Sequence, residues 1–110
     1  MAEMIQITFA AGSIDEARRV CRYLVQERLV ASAEIIPWIE TISMLNNQLD
    51  TDQQSKVLLI ARKEKLDEIV AIIQKNSKFQ IPEILWFSLS GGSPAYLQWL
   101  EESTSLSFKS

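Results

Sequence analysis

The chain has 110 residues, which suits one domain, and its 47% apolar and 23% charged residues are the composition of an ordinary globular protein. The net charge is −3 and the basic residues are spread along the chain, which argues against a nucleic-acid partner because such proteins usually carry a basic stripe. The chain contains no histidine, so it lacks the commonest general base and the commonest transition-metal ligand.

Targeting signals and disulfides are not evident. No apolar run approaches the roughly 20 residues of a membrane-spanning helix, and the first residues lack the basic and apolar regions of a signal peptide. Cys21 is the single cysteine, so no intrachain disulfide can form and a reducing compartment is permitted. We therefore expect a cytoplasmic protein with no membrane partner.

The first predicted elements are a strand and a helix. Ile and Phe alternate with Gln and Thr in Met4–Ala11, which predicts a strand with one apolar face. Gly12 ends it. Ser13 and Glu16 then form a capping box, in which the Ser hydroxyl accepts a backbone hydrogen bond and the Glu carboxylate can reach back. Apolar residues at helical spacing predict a helix that runs to about Arg28.

The central part of the chain predicts a long antiparallel hairpin. Residues 33–45 and 56–62 are rich in Ile, Leu and Val, and the polar segment 46–55 predicts the connection. Pro37 cannot donate a hydrogen bond to a ladder, so we expect an edge position or a bulge there. The second strand is largely apolar on both faces, and in a domain this small we expect another subunit to cover one of them.

The last part predicts a helix, a strand and a terminal helix. An amphipathic helix begins near Leu66, residues 84–89 form a strand, and Ser93 with Pro94 begins the final helix. The Ser-rich tail, about 104–110, is expected to fray.

The order of these elements predicts an α+β fold. It is a ferredoxin-like βαββαβ antiparallel sheet with both helices on one face, plus a short C-terminal helix. The other face of the sheet still carries apolar residues, which predicts a homo-oligomer.

Residues suited to catalysis are scarce. Cys21 lies on the apolar stripe of the first helix, with no histidine to activate it, so we interpret it as a core residue. Asp50 and Asp52 could hold a hard cation weakly, although a solvated turn explains them better. No catalytic residue can be named, and the chain is not predicted to be an enzyme.

Two weaker patterns remain. The segment 91–94 precedes a helix and could present backbone N–H groups to an anion, although a turn and a cap explain it better. Glu83 could pair with Glu34 or Glu40 across the sheet, but spacing alone does not bring these carboxylates together. The three tryptophans are expected in the core or at a subunit contact.

Several local motifs give the chain a resemblance to the CutA family of divalent cation tolerance proteins. Similarity extends from Met4 to about Thr104. The most specific match is the closing pattern G-x-x-x-Y-L-x-W-L. Its matching residues are Gly92, Tyr96, Leu97, Trp99 and Leu100. Further matches are the segment 24–31, Pro37, and the pair Pro82 and Glu83.

This resemblance implies one CutA-like domain over residues 1–110 that forms a tight homotrimer, with long hairpin strands paired across subunits. It implies an architecture similar to the P-II signalling proteins. It also implies a non-enzymatic role in tolerance of copper and other divalent cations. The inter-subunit cleft of such a trimer would gather Arg62, Phe79, Gln80, Glu83, Tyr96 and Trp99.

The chain departs from the family pattern where soft metal ligands are expected. The usual Cys is replaced by Ser32, and the usual His before the Pro-Glu pair by Ser77. The hairpin motif Tyr-x-Trp-x-Gly becomes Ser43, Leu45 and Asn47. We therefore expect weak or no direct binding of copper.

Two other functions stay open at this point. One is a P-II-like sensor of an anion or metabolite in the cleft, with positive charge from Arg62 and Lys78 and a polar anchor from Glu83. The other is a trimer that acts as a structural scaffold for partner proteins.

Overall fold

The computed structural model describes residues 2–105. The elements are β1 (Met4–Ala11), α1 (Ile14–Gln26), β2 (Ser32–Leu45), β3 (Gln48–Arg62), a single 3₁₀ turn (Lys63–Lys65), α2 (Leu66–Asn76), β4 (Ile84–Ser88) and α3 (Pro94–Ser103). The strands form one antiparallel sheet in the order β2-β3-β1-β4. This is the predicted ferredoxin-like arrangement with an additional C-terminal helix. Residues 106–110 of the predicted tail lie outside the described part.

The main core lies between the sheet and the two long helices. Alternate residues of β1 and β3 point toward α1 and α2 and are buried with the apolar stripes of the helices, as the alternating pattern of residues 4–11 predicted for β1. The largest of these side chains are Phe9, Ile5, Ile7, Leu24, Leu59, Ile69 and Ile73.

The start of α1 keeps half of the predicted capping box. The Ser13 hydroxyl accepts a hydrogen bond from the Glu16 backbone N–H at 3.1 Å. The Glu16 carboxylate does not reach back; it is buried and accepts from the backbone N–H of Lys78 at 3.3 Å. Glu16 therefore ties α1 to the segment after α2. The helix ends at Gln26, and Arg28 follows in the left-handed region with a φ of 56°.

The hairpin between β2 and β3 turns over two residues. Asn46 and Asn47 have φ values of 53° and 64°, which is the geometry of a type I′ turn. The connection predicted at 46–55 is therefore too long, because Gln48 already pairs with Leu45 in the ladder. Backbone hydrogen bonds form this ladder whatever the side chains are, so a polar segment extends β3 beyond the core.

Pro37 lies on an edge strand and at a bulge, as predicted. The register between β2 and β3 shifts between Ile36 and Ile39, and β2 is the outer strand of the sheet. The hydroxyl of Ser55 donates a hydrogen bond to the Pro37 carbonyl. That bond satisfies a backbone acceptor beside the irregularity.

The sheet surface opposite α1 and α2, which we call the open face, carries apolar side chains. Its apolar residues are Ile36, Ile39, Leu58, Ile60, Leu85 and Phe87. Leu85 and Phe87 on β4 are 51% and 52% exposed. Within residues 2–105, no helix combines the length and apolar character needed to cross a membrane.

Candidate functional site

The six residues predicted to line a cleft fall into two groups within one chain. Arg62 pairs with Met4 at the start of β1. The backbone carbonyl of Glu83 accepts from the N–H of Ala10 at 3.2 Å, near the other end of the same strand. Six residues of extended strand span about 20 Å. Arg62 and Glu83 are therefore far apart in one chain, and a meeting between them across subunits stays a prediction.

The guanidinium of Arg62 forms hydrogen bonds with the C-terminal end of α3. Its Nε donates to the Thr104 hydroxyl at 2.8 Å, and its Nη2 donates to the Glu101 carbonyl at 3.0 Å. Nη2 also lies 3.3 Å from a carboxylate oxygen of Glu101, and the Arg62 side chain is 17% exposed. This guanidinium holds α3 against β3.

Tyr96 and Trp99 form a pair on the exposed side of α3. Their rings are stacked with centroids 5.7 Å apart, and both residues are almost half exposed. Leu100 of the same helix is fully buried, and Leu97 packs near Gly92. The closing motif thus combines an apolar anchor with an aromatic surface.

Glu83 forms an ion pair with Lys56. The Lys56 Nζ lies 2.5 Å from a Glu83 carboxylate oxygen, and both side chains lie on the open face. The register places Glu34 on this face, opposite Leu58, and Glu40 on the other face, opposite Gln53. Of the two carboxylates considered as partners of Glu83, Glu34 lies on the same face of the sheet and Glu40 does not. The charged group in contact with Glu83 is the ammonium of Lys56.

Phe79 and Gln80 lie in the loop between α2 and β4. The Lys78 Nζ is 5.5 Å from the centre of the Phe79 ring, within the range of a cation–π contact. A side chain in place of Gly12 would overlap the methylenes of Lys78. The loop is thus packed against the end of β1, on the same side of the molecule as Glu83 and remote from Arg62.

A model of the CutA1 divalent ion tolerance protein family matches residues 5–103. The chain belongs to this family. The divalent-cation tolerance protein CutA of Thermus thermophilus is 27% identical over 104 residues, which cover 94% of this chain and 99% of the relative. The chloroplastic protein CutA of Arabidopsis thaliana is 27% identical over 90 residues, 82% of this chain and 50% of the relative. The chain thus spans about half the length of the plant relatives it matches.

Solved CutA1 structures have the same fold as this chain. The Thermus thermophilus protein superposes with a TM-score of 0.81 at 28% identity, covering 96% of this chain and 100% of that one. CutA1 of Oryza sativa gives a TM-score of 0.88 at 24% identity, covering 96% of each chain. The rice structure supports the fold alone.

Metal ligands are sparse in this CutA1-family chain. Residues 2–105 contain no cluster of three or more Cys, Asp or Glu that could hold an ion. Cys21 is buried in the core, and burial raises the pKa of its thiol to about 11. Asp50 and Asp52 lie in β3 and not in a turn, and the Asp52 carboxylate accepts from the Gln53 backbone N–H at 3.0 Å.

The sequence did not reveal the partners of the predicted cleft residues. Lys56 neutralises Glu83, and Glu101 and Thr104 anchor Arg62. None of these three partners was identified from the sequence. The register of β1 against β3 and β4 would have indicated Lys56, because Ala10 lies between Lys56 and Glu83. No sequence pattern indicated the contacts of Arg62 with α3.

Proposed function

We propose that this CutA1-family chain acts in divalent cation tolerance as a non-enzymatic homotrimer. The observation that supports the assembly is the open face, where Ile36, Leu85 and Phe87 are each about half exposed in the single chain. An apolar sheet surface of this kind is usually covered by a partner. The family match over residues 5–103 supports the role in cation tolerance.

We propose further that copper and similar cations act on this protein without a tight site built from soft ligands. The chain has no histidine, and its single thiol is buried and protonated at neutral pH. The carboxylate of Glu83 already faces Lys56. Weak binding through surface carboxylates is the form of direct contact that these residues support.

The alternative of a small-ligand sensor has less support. Two of its three predicted residues, Arg62 and Glu83, already have charged partners in the chain. A ligand at these positions would have to displace Glu101 or Lys56, which would oppose binding. We also propose a cytoplasmic location, which rests on the sequence alone; named relatives include chloroplastic and periplasmic proteins.

Two measurements test this proposal. Light scattering should give a mass about three times the chain mass of 12.5 kDa. Calorimetric titration of that assembly with Cu(I) and Cu(II) should show no sub-micromolar site. A monomer would overturn the proposed assembly. Sub-micromolar binding with a fixed number of sites per trimer would overturn the proposed absence of a tight site, and Glu83→Gln would then test the carboxylate.

A further inference from the structure

A group of positive charges lies on the outer surface of α1 and α2. It consists of Arg18, Arg19, Arg22 and Lys75, all of which are exposed. No carboxylate within residues 2–105 forms an ion pair with these four, whereas Lys56 and Lys63 each pair with one carboxylate and Arg62 pairs with two. A chain with a net charge of −3 therefore concentrates unpaired positive charge on one helical surface.

Two of these charges, Arg19 and Lys75, line a groove between the two helices, which we call the helix groove. It is lined by Arg19, Val20, Tyr23, Ile72, Lys75 and Asn76 and holds about 290 Å³. Val20 is buried and Ile72 half-buried, so the groove has an apolar floor. The Tyr23 side chain is half exposed beside it. The groove thus has an apolar floor bordered by side chains that can donate hydrogen bonds.

The charge is distributed along the helix and is not focused on one point. Arg18 and Arg22 are one turn apart, about 6 Å along α1, and Lys75 lies on the other helix. A second depression continues from the groove around Tyr23, and its lining adds Arg18, Arg22 and one carboxylate, Asp15. An elongated anion with several separated charges matches this distribution better than one phosphate or one metal-bound anion.

We propose that the helix groove docks an acidic segment of a partner protein. Carboxylates of that segment pair with the three arginines and Lys75, and one apolar or aromatic side chain packs against Tyr23 over Val20 and Ile72. The groove is on the side of the sheet opposite the open face, so a docked segment and a subunit on the open face do not compete. The proposal therefore stands independently of the trimer and of cation binding.

The test uses a short fluorescein-labelled peptide rich in Glu with one Phe, and a matched peptide in which Gln replaces every Glu. Fluorescence anisotropy should show binding of the Glu peptide alone, with an affinity that falls as salt increases. Arg19→Glu should weaken binding about five- to tenfold, since it replaces an attraction by a repulsion. Lys63→Glu makes the same charge change on another exposed surface and should leave the affinity unchanged.

Several results would overturn the proposal. The first is no binding of the Glu peptide at low salt, and the second is an equal loss in Arg19→Glu and Lys63→Glu. If inorganic tripolyphosphate bound as tightly as the peptide and lost affinity in Arg19→Glu, the groove would be a site for small polyanions. If the protein alone associated with rising concentration and Arg19→Glu removed that association, the occupant would be a second copy. Circular dichroism of each variant checks the fold.

Discussion

Arg62 of β3 and Glu101 of α3 join the C-terminal helix to the sheet through two contacts. The Arg62 Nη2 lies 3.0 Å from the Glu101 carbonyl oxygen and 3.3 Å from a carboxylate oxygen of the same residue. The other carboxylate oxygen of Glu101 accepts from the backbone N–H of Ala2 at 3.3 Å. The two side chains therefore connect the last helix, the third strand and the segment before β1.

Replacing Arg62 with Met should lower the free energy of unfolding by about 2 kcal/mol, because hydrogen bonds to a charged group are lost and Glu101 keeps an unpaired charge. Urea denaturation at fixed protein concentration, followed by circular dichroism, measures this loss. The concentration must be fixed because the proposed association of subunits would add to the apparent stability.

Glu64→Gln provides the control for this arginine. The Glu64 side chain is 66% exposed, and its carboxylate oxygen is 3.7 Å from Nη1 of Arg62. Exposed pairs of this kind contribute little, so the loss should stay below about 0.5 kcal/mol. If the Glu64 variant lost as much stability as Arg62→Met, the contacts of Arg62 with α3 would not explain its contribution to stability.

The two-residue turn of the hairpin makes a second prediction, at Asn47. Its φ of 64° lies in the left-handed region, where Gly is unstrained and Asn is tolerated better than other residues. Asn47→Gly should leave stability unchanged or raise it by a few tenths of a kcal/mol, and Asn47→Val should lower it by about 1–2 kcal/mol. Thermal unfolding of the two variants measures the difference. Equal midpoints would contradict the type I′ geometry.

Asn47 also shows how much of the structure could be predicted from the sequence. The resemblance expects Gly where Asn47 stands, and the backbone conformation explains why Asn can replace it. The strands, the helices and the bulge at Pro37 were predictable, because alternation, caps and proline have local causes. The polar half of β3 was not, since residues 48–53 are exposed and their ladder carries no apolar pattern.

The candidate site was less predictable than the fold. The family resemblance implied that Arg62 and Glu83 share an inter-subunit cleft, and the register of β1 separates them within one chain. Long-range partners such as Thr104 and Glu16 depend on how whole elements pack, and no periodicity encodes that. The sequence of one chain also does not show which residues would contact each other between subunits of the proposed trimer.

The proposed assembly makes a third prediction, at Phe87. Its side chain lies on the open face, so an aspartate there would place a charge in the subunit contact, and Phe87→Asp should reduce the mass measured by light scattering to that of one chain. Trp86→Asp is the matched control. Trp86 is its neighbour on β4, is similarly exposed at 49%, and faces the other side of the sheet.

The pair of variants separates assembly from folding. If both variants became monomers, the loss would reflect general damage to β4 and not the open face. If Phe87→Asp kept the full mass, the open face would not be the contact between subunits. Circular dichroism should show an intact fold in each case, because β1 and β3 hold the centre of the sheet.

A fourth prediction concerns the buried thiol of Cys21. Burial raises its pKa from 9.0 to about 11, so the reactive thiolate is scarce at neutral pH. Labelling with an aromatic disulfide reagent at pH 8 should be slow in the native protein and rapid in denaturant. Fast native labelling would show that the helix opens readily or that the thiol is not buried.

The same shift predicts a pH dependence of stability. The folded state holds the Cys21 proton more tightly than the unfolded state, so the stabilisation is fully present below pH 9 and is lost as pH rises toward about 11. Urea denaturation between these two pH values should show stability falling. Cys21→Ala removes the titrating group, and its stability should fall less over the same interval. Identical slopes in the two proteins would mean that other groups cause the alkaline loss.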